Sequence, residues 1–367
     1  MRAWSLGLDG RLANGRGADD VVHVASGLLA LQGQDLGHVL DALALRAGAS
    51  LDDVRAAFTR GDLVRSWPVR GTLHALAAAD LPWLLSLTGE RTRRAGARRR
   101  EQLGITDDDL EVARVTVEHL LRGGRSASRA TLLEALADAG QGVSAGRGYH
   151  LVVDLACCGV LALGPFDGTE QQLVLLDELV PEPVVPDPHE AVRWLVERYV
   201  RGHGPVTLAD AARWCALPLG MLRPALAELV AEGTLAAVEI PSGPAFVVPD
   251  ALGATSRTTG VLLLPGFDEL VLGYADRTAT LAREHEPHVV PGGNGMFKPI
   301  VVDDARAVGT WSVARDGTLV AEAFDGSLTA RVERGMRAQA RRRAARGGGV
   351  PPERGRGVER MTGIEPA

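Results

Sequence analysis

The chain has 367 residues, 46% of them hydrophobic and only 4% aromatic, with three cysteines and a formal net charge of −6. That length and apolar content suit a soluble protein whose buried core is divided among two to four modules, no apolar run approaches the roughly 18–20 residues of a membrane span, and the acidic balance argues against indiscriminate nucleic-acid binding. Cys157, Cys158 and Cys215 are odd in number and lack a Cys-x-x-Cys spacing, so neither a disulfide framework nor a zinc site is expected.

The N-terminal stretch has no apolar region of signal-peptide length, which makes the cytoplasm the expected compartment. Residues 20–48 read as one amphipathic helical segment, with Val21, Val24, Leu28, Leu31, Val39 and Leu43 at helical spacing. Gly33 and Gly37 interrupt it around Gln32 and Gln34, which predicts a break or a close backbone approach at the two amides. A helix over 51–60 ends at Gly61. Residues 63–76 read as extended, with Val64, Trp67, Val69 and Leu73 partly alternating, and Asp80 ahead of Pro82 marks the next helix start. Helix, helix and two-stranded wing is a winged-helix order.

The order recurs. Helices are expected over 106–121, with Asp107, Asp108 and Asp109 in the first turn where the dipole favours acids, over 128–138 and over 144–158, with strands at 160–163 and 173–176. After a proline-rich linker from Pro181 to Pro188, helices follow over 189–201, 207–215 and 219–232, with strands at 235–240 and 245–248. Thr207 and Asp210 have capping-box spacing, and the turn Leu217-Pro-Leu-Gly precedes a candidate recognition helix. Beyond Thr255 the composition turns β-like, with strands expected within 261–270, 295–303, 307–313 and 319–324. From about Arg334 the chain is rich in arginine and glycine without apolar periodicity, which predicts disorder. The expected fold is therefore α+β: winged-helix modules at 1–90, 91–180 and 187–250, a C-terminal β-rich domain at 255–332, and a disordered basic tail at 333–367.

Gln32 and Gln34 are the most informative side chains. An amide neither takes nor gives a proton near neutral pH. Two of them one residue apart suit a different role, that of holding a water beside a carbon that is becoming positively charged. A leaving group that is already cationic needs no acid. Lys298 is the only lysine, so a strand-cutting Schiff base has one side-chain amine to draw on, and simple hydrolysis is the expected chemistry. Arg91, Arg93, Arg94, Arg98, Arg99 and Arg100 form a basic run between Glu90 and Glu101, open to two readings: a solvated face with charge pairs, or a phosphate-contacting element. Asp268 and Glu269 are expected on a strand, where neighbours face opposite ways and do not act as a pair. His285 and His288, beside Glu284 and Glu286, read as an exposed polar loop rather than a metal site.

The stretch Leu31-Gln-Gly-Gln-Asp, then Trp67-Pro-Val-Arg-Gly-Thr-Leu-His, Gly204-Pro-Val-Thr-Leu-Ala-Asp-Ala-Ala-Arg-Trp, Gly266-Phe-Asp-Glu-Leu-Val-Leu-Gly-Tyr-Ala-Asp-Arg and Asn294-Gly-Met-Phe-Lys-Pro resemble, in that order, the winged-helix DNA glycosylases of the AlkZ/YcaQ type over roughly residues 20–330. The resemblance implies tandem winged helices around a DNA cleft, a C-terminal β-domain and removal of alkylated or crosslinked purines. It places Gln32 and Gln34 at the catalytic pair. Gln34 stands where the crosslink-repairing branch has Asp, so the AlkZ-like branch is nearer, and Gly33 stands where a larger residue is common. The DNA-contacting candidates are Trp67, Arg70, His74, Arg91, Arg93, Arg94, Asn294, Phe297 and Lys298. Local alternatives stay open: Trp67 as core, Arg70 paired with a carboxylate such as Asp62, His74 as a satisfied half-buried imidazole, and Asn294, Phe297 and Lys298 in a hairpin-packing role. The expected protein is a monomeric, monofunctional glycosylase, nucleoid-associated and without cofactor or metal. It would hydrolyse the N-glycosidic bond of N7- or N3-alkylated or bulky purines in double-stranded DNA. A non-catalytic winged-helix DNA-binding protein or regulator is the rival; it accounts for the tandem modules and the basic run but not for the amide pair.

Overall fold

The computed structural model describes residues 1–254, 260–293 and 295–347. The chain is α+β with antiparallel sheets. The contacts of the described residues divide into two units, one made of residues 1–54 and 193–347 and the other of residues 55–192. The divisions fall inside the helices Leu51–Thr59 and Pro188–His203, so residues 1–90 are shared between the two units.

In the unit of residues 55–192, Val69 pairs with Thr72, leaving Arg70 and Gly71 as a two-residue turn with φ of 53° and 64°. Positive φ at both positions is what a type I′ hairpin turn demands. The hairpin Leu63–Val69/Thr72–Ala77 does not remain a separate wing. Its strand Leu63–Val69 pairs antiparallel with Leu161–Asp167, Arg65 opposite Leu163, and Leu161–Asp167 pairs in turn with Glu170–Leu175. The strands of the two expected wings thus lie side by side in one sheet. Burial at all seven positions of Leu63–Val69 fits that inner place and explains its imperfect alternation.

Three helices cover this sheet. Asp107–Leu121 starts at Thr106, whose hydroxyl and Asp109 carboxylate complete a capping box, and Arg129–Asp138 starts at Ser128, which caps Thr131 N. With Arg147–Cys157 they bury Ala113, Val117, Leu121, Leu132, Leu136 and Leu155 against Trp67, Leu73 and Leu173.

In the other unit, the helical segment expected over 20–48 is two helices. Ala18–Leu28 stops because Leu29 takes a left-handed backbone, φ 68°. Leu36–Ala47 starts because the Asp35 carboxylate accepts the His38 N–H at 2.9 Å. A left-handed leucine and an aspartate cap bound the break; Gly37 sits within the first turn of the second helix. Further on, Leu208–Cys215 opens with the completed Thr207–Asp210 capping box, and Leu219–Ala231 precedes the hairpin Ala236–Ile240/Gly243–Val247.

Four strands follow in antiparallel order: Leu319–Ala323, Arg306–Val313, Ile300–Asp303 and Val261–Leu264. The helix Ala330–Ala345 lies on this sheet, where Val332 and Met336 pack with Val261, Leu263, Val301 and Trp311. This corrects the expected disorder of 333–367 for its first part. Val332, Met336 and Gln339 recur at i, i+4 and i+7, a narrow buried stripe hidden among arginines. Gly335 is what lets the helix approach, since a Cβ there would lie 2.4 Å from Val261 Cβ. Residues 348–367 lie outside the described residues.

Beyond Val261–Leu264, Asp268 is not on a strand. It caps the short helix Glu269–Leu272 by accepting the Leu270 N–H, so the chain turns before the expected strand would continue. Asp268 also holds Arg46 in a bidentate pair, Nη1–Oδ2 and Nη2–Oδ1 both 2.9 Å, with both side chains buried. The Arg46 guanidinium donates further to the Leu6 and Ala42 carbonyls. Breaking such a pair from one side leaves a buried charge uncompensated, at a cost of about 3–5 kcal/mol. Asp268→Asn is therefore expected to lower unfolding free energy by about that amount, measured by urea titration, with Arg46→Met/Asp268→Leu recovering much of the loss. Gly335→Val is expected to cost about 1–3 kcal/mol by overpacking, seen as a lower urea midpoint.

Candidate active site

The two glutamines lie in the short connection between Ala18–Leu28 and Leu36–Ala47, Gln32 buried and Gln34 half-buried. Gln32 Nε2 donates to Gln34 Oε1 at 2.5 Å, so the two amides form one unit. A carbonyl oxygen has two lone pairs, and Gln34 commits one of them to Gln32. Turning both amides over exchanges donor and acceptor and keeps the pair bonded, so the pair can present an acceptor to water in either sense.

Behind Gln32 stands a residue that alternation along a strand had set aside. Glu269 is buried, and its Oε1 faces the Gln32 backbone N–H at 3.4 Å. Its Oε2 accepts the Trp214 indole N–H at 3.1 Å and meets His203 Nε2 at 3.2 Å. His203 Nδ1 faces the Tyr199 carbonyl at 3.2 Å. Gly273 makes room for this contact: a Cβ there would lie 2.8 Å from His203 Cδ2 and 3.2 Å from Glu269 Oε2.

The surrounding aromatic groups are tied into the same network. The Tyr199 ring stacks on His203 at 4.6 Å, its hydroxyl donates to the Gly273 carbonyl, and the Tyr274 hydroxyl donates to the His203 carbonyl. Burial pushes both phenols above their usual range, which keeps them as neutral donors. The adjoining turn is strained, with Phe267 at φ 61°, and tight, since a Cβ on Gly266 would lie 2.6 Å from His38 Nδ1. The stretch Gly266–Tyr274 thus has a physical reason at six positions: Gly266 and Gly273 for close approach, Phe267 for the turn, Asp268 for Arg46, Glu269 for Gln32 and Tyr274 for His203. The signal available in the sequence was the pair of adjacent acids bracketed by these glycines.

The other candidates are distributed as follows. Trp67 is buried in the core of residues 55–192, edge-on to Tyr149, which corrects its assignment as a DNA contact. His74 is buried as well: Nδ1 lies 2.8 Å from the Thr72 carbonyl and Nε2 3.2 Å from Arg70 Nη2. Asp62 is bound by Arg60 instead. Arg93 binds the buried Asp154 at 3.0 Å and Glu90 at 3.2 Å, Arg100 binds Asp154 at 3.1 Å, and Arg94 binds Glu90 at 2.8 Å. Much of the basic run is therefore internally compensated. Arg91 and Arg98 are exposed. Phe297 is buried, 6.1 Å from the Phe267 ring with Arg277 over its face, so it packs rather than projects. Lys298 is exposed, and Asn294 lies outside the described residues. His285 is covered, stacked on Phe324 at 4.8 Å and paired with Asp325 at 3.0 Å, rather than on an exposed loop.

Comparison with known proteins identifies a family for the chain. The family described as "DNA glycosylase AlkZ-like" matches residues 25–346. A curated relative from Streptomyces sahachiroi, "Interstrand DNA cross-link repair glycosylase", is 29% identical over 278 residues, covering 71% of this chain and 73% of the relative. The solved structure "Streptomyces sahachiroi DNA glycosylase AlkZ" superposes with a TM-score of 0.73 at 26% identity, covering 96% of this chain and 97% of that one.

The site's geometry makes Glu269 a hub that accepts from three groups. Glu269→Gln keeps the shape but turns one acceptor oxygen into a donor facing other donors. The expected loss is about 1–3 kcal/mol of stability, read as a lowered urea midpoint; an unchanged midpoint would show that the carboxylate does not bind the network together.

Proposed function

Because the chain belongs to the AlkZ-like DNA glycosylase family, we propose that it hydrolyses the N-glycosidic bond of N7- or N3-alkylated or bulky purines in duplex DNA, using a water held by Gln32 and Gln34. The observation that carries this reading is the bonded amide pair backed by a buried carboxylate. Interstrand crosslinks belong in the proposed substrate class on the strength of the curated relative's name. Supporting the DNA-binding part, three helices followed by a hairpin recur at 107–175 and 188–247, the order of winged-helix modules.

The proposed chemistry is balanced without an acid. The cationic base departs with both electrons of the C1′–N bond, which neutralises its charge. The sugar carbon becomes oxocarbenium-like, and the water oxygen adds to it and then releases a proton to solvent. Amide oxygens orient the water and favour the developing positive charge. Glu269 acts as a positioning residue through the Gln32 backbone, and its carboxylate, held by Trp214 and His203, lies behind Gln32, where negative charge favours the same cation. Simple hydrolysis fits a chain whose one lysine is exposed.

The test is release of free base from an N7-alkylated duplex. Gln32→Ala and Gln34→Ala are each expected to lower single-turnover release by about 10²-fold or more while leaving duplex affinity nearly unchanged. Unaltered turnover in both variants would remove the catalytic assignment. Tight duplex binding without base release by the unmodified protein would favour a non-catalytic binding protein.

A further inference from the structure

The helix Ala330–Ala345 presents two faces of opposite character. Val332, Met336 and Gln339 are buried. At 100° per residue, Arg334, Arg337 and Arg341 project from the opposite side, and all three are exposed. They span seven residues, about 10 Å along the axis.

The charges of two other arginines on this helix are answered. Arg331 is held by Asp303 at 2.8 Å and Asp304 at 2.9 Å, and Arg343 by Asp41 at 2.6 Å. Among the described residues, Arg337 has Glu333 alone as an ion-pair partner, at 3.9 Å. Among the described residues, Arg334, Arg341 and Arg342 have no ion-pair partner. A solvated helix face ordinarily interleaves acids four residues away; this one carries a single glutamate. The crowding is visible at Arg346, whose pKa is lowered by burial and by repulsion from Arg343 and Arg342, against the one attraction of Asp41. Cations near a helix C-terminus are favoured by the dipole, which accounts for Arg342 and Arg343 but not for Arg334. Arginine rather than lysine follows the usage of the whole chain, so charge and placement carry the argument.

The helix is also fixed in place relative to the amide pair's own helix. Arg343 binds Asp41, which lies on Leu36–Ala47, and the Arg346 carbonyl accepts the Leu51 N–H at 2.8 Å. Leu36–Ala47 begins at Asp35, next to Gln34.

We propose that the solvent face of this helix, Arg334, Arg337 and Arg341, binds the sugar–phosphate backbone of duplex DNA without reading its sequence. The inference rests on the glycosylase reading for the identity of the polyanion. It assigns to the C-terminal helix a gripping surface that lies outside the winged-helix modules. Backbone contacts of this kind position a duplex and release counterions, so their signature is salt dependence rather than base preference.

The experiment is fluorescence anisotropy of the full chain on an undamaged duplex across a series of salt concentrations. Arg334→Gln/Arg337→Gln/Arg341→Gln is expected to weaken binding at low salt by tenfold or more. The plot of log K against log salt should become shallower by about 0.9 per lost phosphate contact, up to about 2.7 for three. Arg331→Gln, whose guanidinium is already engaged by two aspartates, is expected to leave the slope unchanged. Base release by the triple variant at saturating protein should stay within about threefold. If the triple variant is unfolded by circular dichroism, the Arg334→Gln/Arg341→Gln pair carries the test, with a slope change of up to about 1.8. An unchanged slope and affinity in the folded variant overturns the proposal, as does an equal effect from Arg331→Gln. A reduced slope in a protein that releases no base from any alkylated duplex would keep this surface and reject the glycosylase reading instead.

Discussion

One buried ion pair organises the surroundings of the two glutamines. Arg46 and Asp268 are removed from water, and each such desolvation costs several kcal/mol before any attraction is counted. The loss is offset because nearly every polar atom finds a partner: two bonds between guanidinium and carboxylate, two more to the carbonyls of Leu6 and Ala42, and the Leu270 N–H on the carboxylate. The pair consequently joins the helix that follows the amide pair to the turn that carries Glu269. With Asp268 anchored to Arg46, the next residue along is directed toward the Gln32 backbone.

A neutral pair of amides is a weak catalytic device unless it is held still. Amide side chains rotate freely and hydrogen-bond equally well to water, so orientation has to come from the surroundings. Here it comes in layers. The amides bind each other, the buried Glu269 takes the Gln32 N–H, and Trp214 and His203 fix Glu269 in turn. Tyr199 and Tyr274 close the layer with hydroxyl bonds to backbone carbonyls. The amide pair carries no formal charge of its own; the buried carboxylate of Glu269 sits one residue layer behind it.

The elements bounded by local chemistry were legible in advance. Thr106 with Asp109, Ser128, and Thr207 with Asp210 mark helix starts that the structure contains. The helix after Asp80 is also where the residue types put it, whereas the segment read as extended over 63–76 is folded into a hairpin at Arg70 and Gly71. Misreadings arose where burial depended on a distant segment. Asp268 and Glu269 looked like neighbours on a strand because the run Val261–Leu264 leads into them, yet Asp268 ends that run by capping a helix and binding a guanidinium 222 residues away in sequence. Trp67 reads more readily as core than as a stacking platform, yet it stands among the expected DNA contacts; the helices of residues 107–157 close over it. The arginine-rich stretch after Thr329 hides three buried positions among charges, and only the sheet they pack on shows that it is a helix.

Residue types and spacing alone pointed to the α+β character, the adjacent glutamine pair and the kinship with a glycosylase family, because each of these rests on local pattern or on short contiguous motifs. Folding settled which charges are spent and which remain. Arg93 and Arg100 face a buried aspartate, whereas Arg334 and Arg341 meet none among the described residues. A string of letters shows equal charges in both places. Whether a charge is neutralised depends on which side chain lies within a few ångströms, and that neighbour is set by long-range packing rather than by position along the chain.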